Sequence, residues 1–294
     1  MPTPGIACVA DLKMQVGEGA CWDQASRCLW WVDIPAGRVF RLDEAGAVAH
    51  WDVGEPVGCL AVRKAGGLVI ATRTGFHDFD PATGTKTPIV DPEADLSDNR
   101  FNDGTTDRQG RIWAGTMATG TPTPIGSFYR LDAARTCQKW RSGYYTTNGL
   151  AFAPDGRRMY HSDSNPDVQT LYVADYDPDT GWPGEPQPFF DCRQVAGRPD
   201  GGTVDADGCY WMAGVSGWQL YRITPEGKLD RTVALPVERP SKPLFGGPTL
   251  DVLYVTTIGV TLTPGGATDQ PQAGGLFAIT GLGVVGVPEI AFAG

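Results

Sequence analysis

Apolar residues along this chain fall in short runs, several without polar interruption, and each run is followed by a second one that ends in an Asp, Pro or Gly turn. The copies occupy 29–34 with 39–43, 68–72 with 76–84, 112–116 with 127–132, 159–163 with 171–177, 210–214 with 220–227, and 253–257 with 276–280. Their first members begin 39, 44, 47, 51 and 43 residues apart, close to the roughly 40–50 residues of a four-stranded propeller blade. Runs this short, rich in Val, Ile, Trp and Tyr and lacking a 3.6-residue period, read as strands. Six copies predict an all-β fold, a six-bladed β-propeller whose radial repetition leaves only short edges. Residues 1–294 are expected to form one propeller domain, with 6–10 and 290–293 pairing across the termini to close the ring.

Composition agrees with many turns and a sizeable core. Gly (39) and Pro (24) make up about a fifth of the 294 residues, while 41% hydrophobic and 10% aromatic residues supply enough apolar surface to offset the entropy of ordering. The nine Trp sit mostly at strand positions and are expected between blades, with Trp22 and Trp218 as possible borders of a pocket.

Charge narrows the partners. A net charge of −10 without a basic run excludes the clustered cationic surface that nucleic acid requires. No uncharged stretch of about 18 residues offers a membrane span. The first 13 residues carry no basic leader and hold Asp11 within their apolar stretch. The seven cysteines are scattered without a C-x-x-C pair. The expectation is a reduced, cytoplasmic protein with no nucleic-acid or membrane partner.

One repeat position collects polar residues. Glu18 lies 12 residues before Trp30, Asn102 lies 11 before Trp113, Asn148 lies 12 before Tyr160 and Asp200 lies 11 before Trp211. The remaining blades place Val57 or Gly58, and Lys242 or Pro243, at that offset. In a propeller the innermost strands begin around one mouth of the channel, so these side chains converge. Asn148-Gly149 and Asp200-Gly201 are also ordinary tight-turn pairs, whereas Glu18, flanked by Gly17 and Gly19, is a poor turn residue. The oxygen donors of Glu18, Asn148 and Asp200 suit one divalent cation, Ca²⁺, Mg²⁺ or Mn²⁺, with Fe²⁺ or Zn²⁺ also admissible. The segment 99–104 adds Arg100 to the same mouth, where its guanidinium is either functional or a solvated ion pair.

Other chemistries find little support. No G-x-S-x-G elbow, H-E-x-x-H or P-loop motif occurs. His161, Ser162 and Asp163 have the letters of a triad, but consecutive residues of a strand face alternate sides.

The stretches Gly17-Glu18-Gly19-Ala20-Cys21-Trp22-Asp23, 99–107 with 110–117, 147–150 with 162–164, and 198–205 together resemble the SMP-30/gluconolactonase family, which includes regucalcin and bacterial sugar lactonases such as xylonolactonases. The resemblance spans essentially the whole chain. It implies a six-bladed propeller with one divalent metal at the channel mouth on Glu18, Asn148 and Asp200, substrate contacts from Arg100 and Asn102, and a catalytic base role for Asp200. Where some members carry an acidic pair after the Gly-Thr-Met motif, this chain has Thr119-Gly120. The implied activity is hydrolysis of a small-molecule sugar lactone to its acid. A phosphotriesterase-like hydrolase and a non-catalytic calcium-binding propeller are the rivals. Asp205, five residues beyond Asp200, is expected to be a position whose amide variant leaves the chemistry intact.

Overall fold

The computed structural model describes residues 4–259 and 269–294. Six antiparallel sheets stand as blades around a common axis. Blade 1 comprises Gly17–Asp23, Cys28–Asp33, Arg38–Leu42 and Val48–Asp52, and blade 2 comprises Val57–Val62, Leu68–Thr72, Gly75–Asp80 and Thr85–Val90. Blade 3 is Asn99–Thr106, Ile112–Ala118, Gly126–Leu131 and Cys137–Tyr144. Blade 4 is Thr147–Phe152, Arg158–Asp163, Thr170–Asp177 and Gln187–Asp191, with a short Trp182–Pro183 strand beside the third. Blade 5 is Arg198–Val204, Tyr210–Val215, Gln219–Ile223 and Leu229–Ala234. Blade 6 is Pro240–Gly246, Val252–Thr257, Leu276–Thr280 and, as its outer strand, Gly5–Ala10.

The repeated apolar runs are thus the second and third strands of each blade. A second strand is covered on both faces by neighbouring blades, which is why Cys28–Asp33 and Tyr210–Val215 are buried throughout and show no polar alternation. Six hydrophobic clusters fill the six blade interfaces, among them Trp30 with Leu60 and Ile70 between blades 1 and 2, and Trp211 with Phe245 and Phe277 between blades 5 and 6. Trp22 belongs to this core, stacked on Tyr254 at 6.2 Å between ring centroids, and it also lines a pocket with Arg27, Leu42, Pro248 and Tyr254, as expected. Trp218 stays exposed on the loop between the second and third strands of blade 5. Among the described residues no helix is long and apolar enough to cross a membrane, and all seven cysteines are free thiols.

Ring closure differs from the expected pairing. The N-terminal strand does close the ring, but against Leu276–Thr280, with Ile6 opposite Ile279 and Cys8 opposite Phe277. Segment 290–293 instead runs beneath the blades: Phe292 exchanges backbone bonds with Val62 and Lys64 at 2.8 Å each, and the Ala293 amide donates to Gly110 O at 3.0 Å. The free edge of blade 6 is already filled by the first strand, so the tail satisfies its backbone groups on blades 2 and 3. Bonds from Thr106 Oγ1 to Ile290 O and from Arg108 Nη1 to Pro288 O fasten it across the lower end of the channel.

Asp205 has a structural duty that its sequence position did not reveal. Its carboxylate, fully buried, accepts from the Asp207 and Cys209 amides, from Trp211 Nε1 at 2.8 Å and from Arg222 Nε at 2.8 Å. It is therefore no neutral control. Asp205→Ala should cost about 3 kcal/mol in urea unfolding, the lower end for breaking a buried ion pair, because Arg222 keeps Asp207 and Asp230 as partners.

Candidate active site

First strands of neighbouring blades pack against one another and so line the channel. Every one of the six carries a register irregularity near its start: at Glu18–Cys21, Val57–Cys59, Phe101–Gly104, Asn148–Ala151, Pro199–Gly202 and Pro240–Pro243. A β-bulge adds a residue to one strand and re-aims side chains out of the pleat. The recurrent polar position is this bulge. Asn148-Gly149 and Asp200-Gly201 therefore lie inside strands and are not tight turns. Gly149 adopts φ +69°, and a Cβ there would sit 2.7 Å from the Tyr210 hydroxyl, so the residue after Asn148 must be Gly. Blade 2 has Gly58 at the bulge because a Cβ would lie 2.4 Å from Phe101 O of blade 3.

Glu18, Asn102, Asn148 and Asp200 are all buried at this level, and a hydrogen bond joins the two amides. Arg100 Nη1 donates to Asn102 Oδ1 at 2.8 Å and to Phe101 O at 2.9 Å. Asn102 Nδ2 donates to Thr147 O at 2.9 Å and to Asn148 Oδ1 at 3.2 Å. Asn148 Nδ2 donates to Ser164 Oγ at 2.7 Å, and that hydroxyl spends its own hydrogen on Pro199 O. Ser164 thus accepts from Asn148 and fixes which way the amide faces, with Oδ1 away from Ser164.

Two charged residues complete the arrangement that counting acids and amides missed. Lys242 Nζ donates to Asp103 Oδ1 at 2.8 Å, with Leu150 O at 3.5 Å, and Asp103 Oδ2 accepts from the Leu150 amide at 2.9 Å. This pair joins blade 6 to blade 3 across the channel, and both side chains are at most 2% exposed. Burial opposes the ammonium, but Asp103 outweighs it and raises Lys242 above its ordinary range. Lys242 stands 12 residues before Tyr254, the same offset as the other blades; admitting a cation to the count identifies it.

Burial, with the charges of Asp200 and Asp103, pushes the Glu18 carboxyl well above its ordinary range, against the pull of Lys242 and the Gly19 amide. Asp200 is likewise pushed up to about 7 by burial and Asp103, opposed by Arg198, Lys242 and a hydrogen bond with Glu18. Two buried carboxyls facing each other carry a cost that a cation between them removes. Among the described residues no three His, Cys, Asp and Glu side chains form a metal-binding group, so the donors present are two acids and an amide. An all-oxygen set of this kind fits a hard divalent ion better than a thiolate or imidazole metal. Burial lowers the Arg100 guanidinium to about 10, with Glu18 and Asp200 opposing.

The remaining expectations resolve simply. Thr119 and Gly120 are exposed on a loop of blade 3, Thr119 donating to Asp98 O, and nothing lies within 4 Å of a Cβ on Gly120. His161 is fully buried, hydrogen-bonds among the described residues only to Tyr144 Oη at 3.0 Å, and is lowered to about 3 by burial. Asp163 holds the Tyr145, Thr146 and Asn165 amides, so no triad exists here.

Residues 16–259 match the family described as SMP-30/Gluconolactonase/LRE-like region. The chain is 35% identical over 291 residues to 6-deoxy-6-sulfogluconolactonase of Pseudomonas putida, covering 98% of this chain and 99% of that one. It is 35% identical over 296 residues to regucalcin of Sus scrofa, covering 98% of each. Among solved structures, a calcium-binding regucalcin from Agrobacterium tumefaciens has a TM-score of 0.92 at 29% identity, covering 99% of both chains. A matching family region and relatives at this identity over nearly full length place the chain: it belongs to the SMP-30/gluconolactonase/LRE-like family.

Proposed function

We propose that this protein hydrolyses a sugar (aldono-)lactone to the sugar acid in oxidative sugar degradation, with one divalent metal ion held by Glu18, Asn148 and Asp200. The observation that carries this reading is the placement of two acids and two amides on the inner-strand bulges of four blades, beside a guanidinium that contacts only neutral oxygens. The sulfogluconolactonase relative supports the lactone class. Seven free thiols fit a reducing, cytoplasmic setting.

A divalent ion, when bound, supplies Lewis acidity toward the lactone carbonyl oxygen. Arg100 and Asn102 orient the polyol through its hydroxyls, and the guanidinium offsets charge that develops on the carbonyl oxygen. Water adds to the carbonyl carbon and passes its proton to an Asp200 carboxylate oxygen. The ring C–O bond then breaks, and the ring oxygen takes a proton to become a hydroxyl of the open acid. Burial of the acids keeps bulk water from competing for these contacts.

The test is an indicator assay on a panel of aldonolactones, since opening each lactone releases one acid proton. Chelation should bring turnover to the uncatalysed rate and leave the far-ultraviolet circular dichroism unchanged, because the six inter-blade cores do not depend on one ion. Turnover that survives verified metal removal refutes the proposal. A second reading, a calcium-binding propeller without turnover, has the regucalcin relatives in its favour and is recognised by tight Ca²⁺ binding with no lactone opened.

Arg100→Ala should lower kcat/KM by about 1.5–3 kcal/mol with metal affinity retained. Asn102→Ala should lower both, because Asn102 donates to Asn148 Oδ1. The two losses should not add, since the side chains are bonded to each other at 2.8 Å. Equal loss of metal affinity in the two variants would reassign Arg100.

A further inference from the structure

The peptide that carries each of the oxygen donors Glu18, Asn148 and Asp200 is held by a side chain from the blade before it in the ring. Ser241 Oγ of blade 6 donates to Gly17 O, the carbonyl that precedes Glu18 in blade 1. Asn102 Nδ2 of blade 3 donates at 2.9 Å to Thr147 O, which precedes Asn148 in blade 4. Ser164, one residue past the second strand of blade 4, donates through Oγ to Pro199 O, which precedes Asp200 in blade 5. All three bracing side chains are buried. In blade 3, where Asn102 is assigned to substrate, the matching carbonyl Phe101 O accepts instead from Arg100 of its own strand.

A held carbonyl has a consequence one residue on. The carbonyl of one residue and the N–H of the next share a rigid plane, so fixing the oxygen fixes the plane from which the donor side chain departs. The strand register is irregular at each of these places, and an interrupted ladder by itself holds such a plane less firmly.

A hydroxyl has a single hydrogen to give. Ser164 commits its hydrogen to Pro199 O and accepts from Asn148 Nδ2 at 2.7 Å, so one oxygen ties the Asn148 amide to the Asp200 peptide. Ser241 commits its hydrogen to Gly17 O and accepts from Thr256 Oγ1 at 2.9 Å, which itself accepts from the Lys242 amide at 3.1 Å. Ser162 gives the contrast. It pairs with Asn148 in the strand register and is fully buried, yet its Oγ has no hydrogen-bond partner among the described residues.

We infer that Ser164 and Ser241 are positioning residues for the divalent ion, acting through Glu18, Asn148 and Asp200 by holding these donors at one spacing before the ion arrives. This rests on the metal site of the proposed function. Without either hydroxyl a donor peptide must be ordered at the moment of binding, and losing an outer partner of a metal ligand typically lowers metal affinity about 10–100-fold.

Titration calorimetry on the chelator-stripped chain tests the braces, with whichever of Ca²⁺ and Mn²⁺ the unaltered protein binds more tightly. Ser164→Ala and Ser241→Ala should each raise Kd about tenfold or more with the stoichiometry kept, whereas Ser162→Ala should stay within about threefold of the unaltered protein. A merely structural role predicts the reverse pattern, since a share of unfolded molecules lowers the stoichiometry and leaves Kd where it was. Ser164→Cys and Ser241→Cys keep a weak donor and should fall between the two; if an alanine variant fails to fold, its cysteine variant decides, with a loss of at least about threefold expected. Affinities within about threefold of the unaltered protein in both serine positions, or an equal loss in Ser162→Ala, overturn the inference while sparing the metal site. Binding of neither ion by the unaltered protein rejects the metal site itself.

Discussion

Asp200→Asn is expected to lower kcat by about 10²–10⁴-fold at saturating metal, the range set by loss of a general base. The amide keeps one oxygen donor and the shape of the side chain but cannot accept the proton of the attacking water, so metal binding should weaken without vanishing. Two features make the position sensitive. Asp200 lies on the bulge of a first strand, so its side chain is aimed into the channel rather than into a turn. Its charge also acts on the Glu18 carboxyl, so removing it alters the other acidic donor. The indicator assay together with a metal titration checks the result. A drop below about tenfold at saturating metal removes the base role.

Lys242→Met should cost about 3–5 kcal/mol in urea unfolding, because it leaves the Asp103 carboxylate buried and unpaired. The Lys242 stem packs against the blade 5 strand, where a Cβ on Gly201 would lie 2.4 Å from its Cδ, so Met retains much of that contact. Adding Asp103→Asn to Lys242→Met removes the stranded charge and should recover most of the loss, a coupling that a double-mutant cycle reads directly. A single-variant cost under about 1 kcal/mol would mean that the ion pair does not hold the channel together.

Much of the candidate site could be read from the chain because the bulge recurs at a nearly fixed distance before the aromatic of each second strand. Glu18, Asn102, Asn148 and Asp200 emerged from that spacing, and the structure brings all four to one level of the channel. The turn alternative for Asn148 and Asp200 was equally local, since Asn-Gly and Asp-Gly favour turns in any context; only the strand register removes it. Lys242 shared the spacing but not the chemistry being counted, and Asp103 sits beside Asn102 with nothing in its neighbourhood to mark it as the partner of a lysine 139 residues away. Nothing local marked the structural duty of Asp205, because its bonds to Trp211 and Arg222 depend on how blade 5 folds back on itself.

By itself, the sequence determined the all-β class, the number of blades and the level at which polar side chains enter the channel. Those follow from strand hydrophobicity, turn chemistry and repeat spacing, which act over a few residues at a time. The tertiary structure decided the rest: that the first strand closes blade 6 while the tail runs under blades 2 and 3, and that Lys242 meets Asp103. The physical reason is ring closure. Pairings across a channel join residues far apart in the chain, and their partners are set by how the blades pack around the axis, which no local pattern encodes.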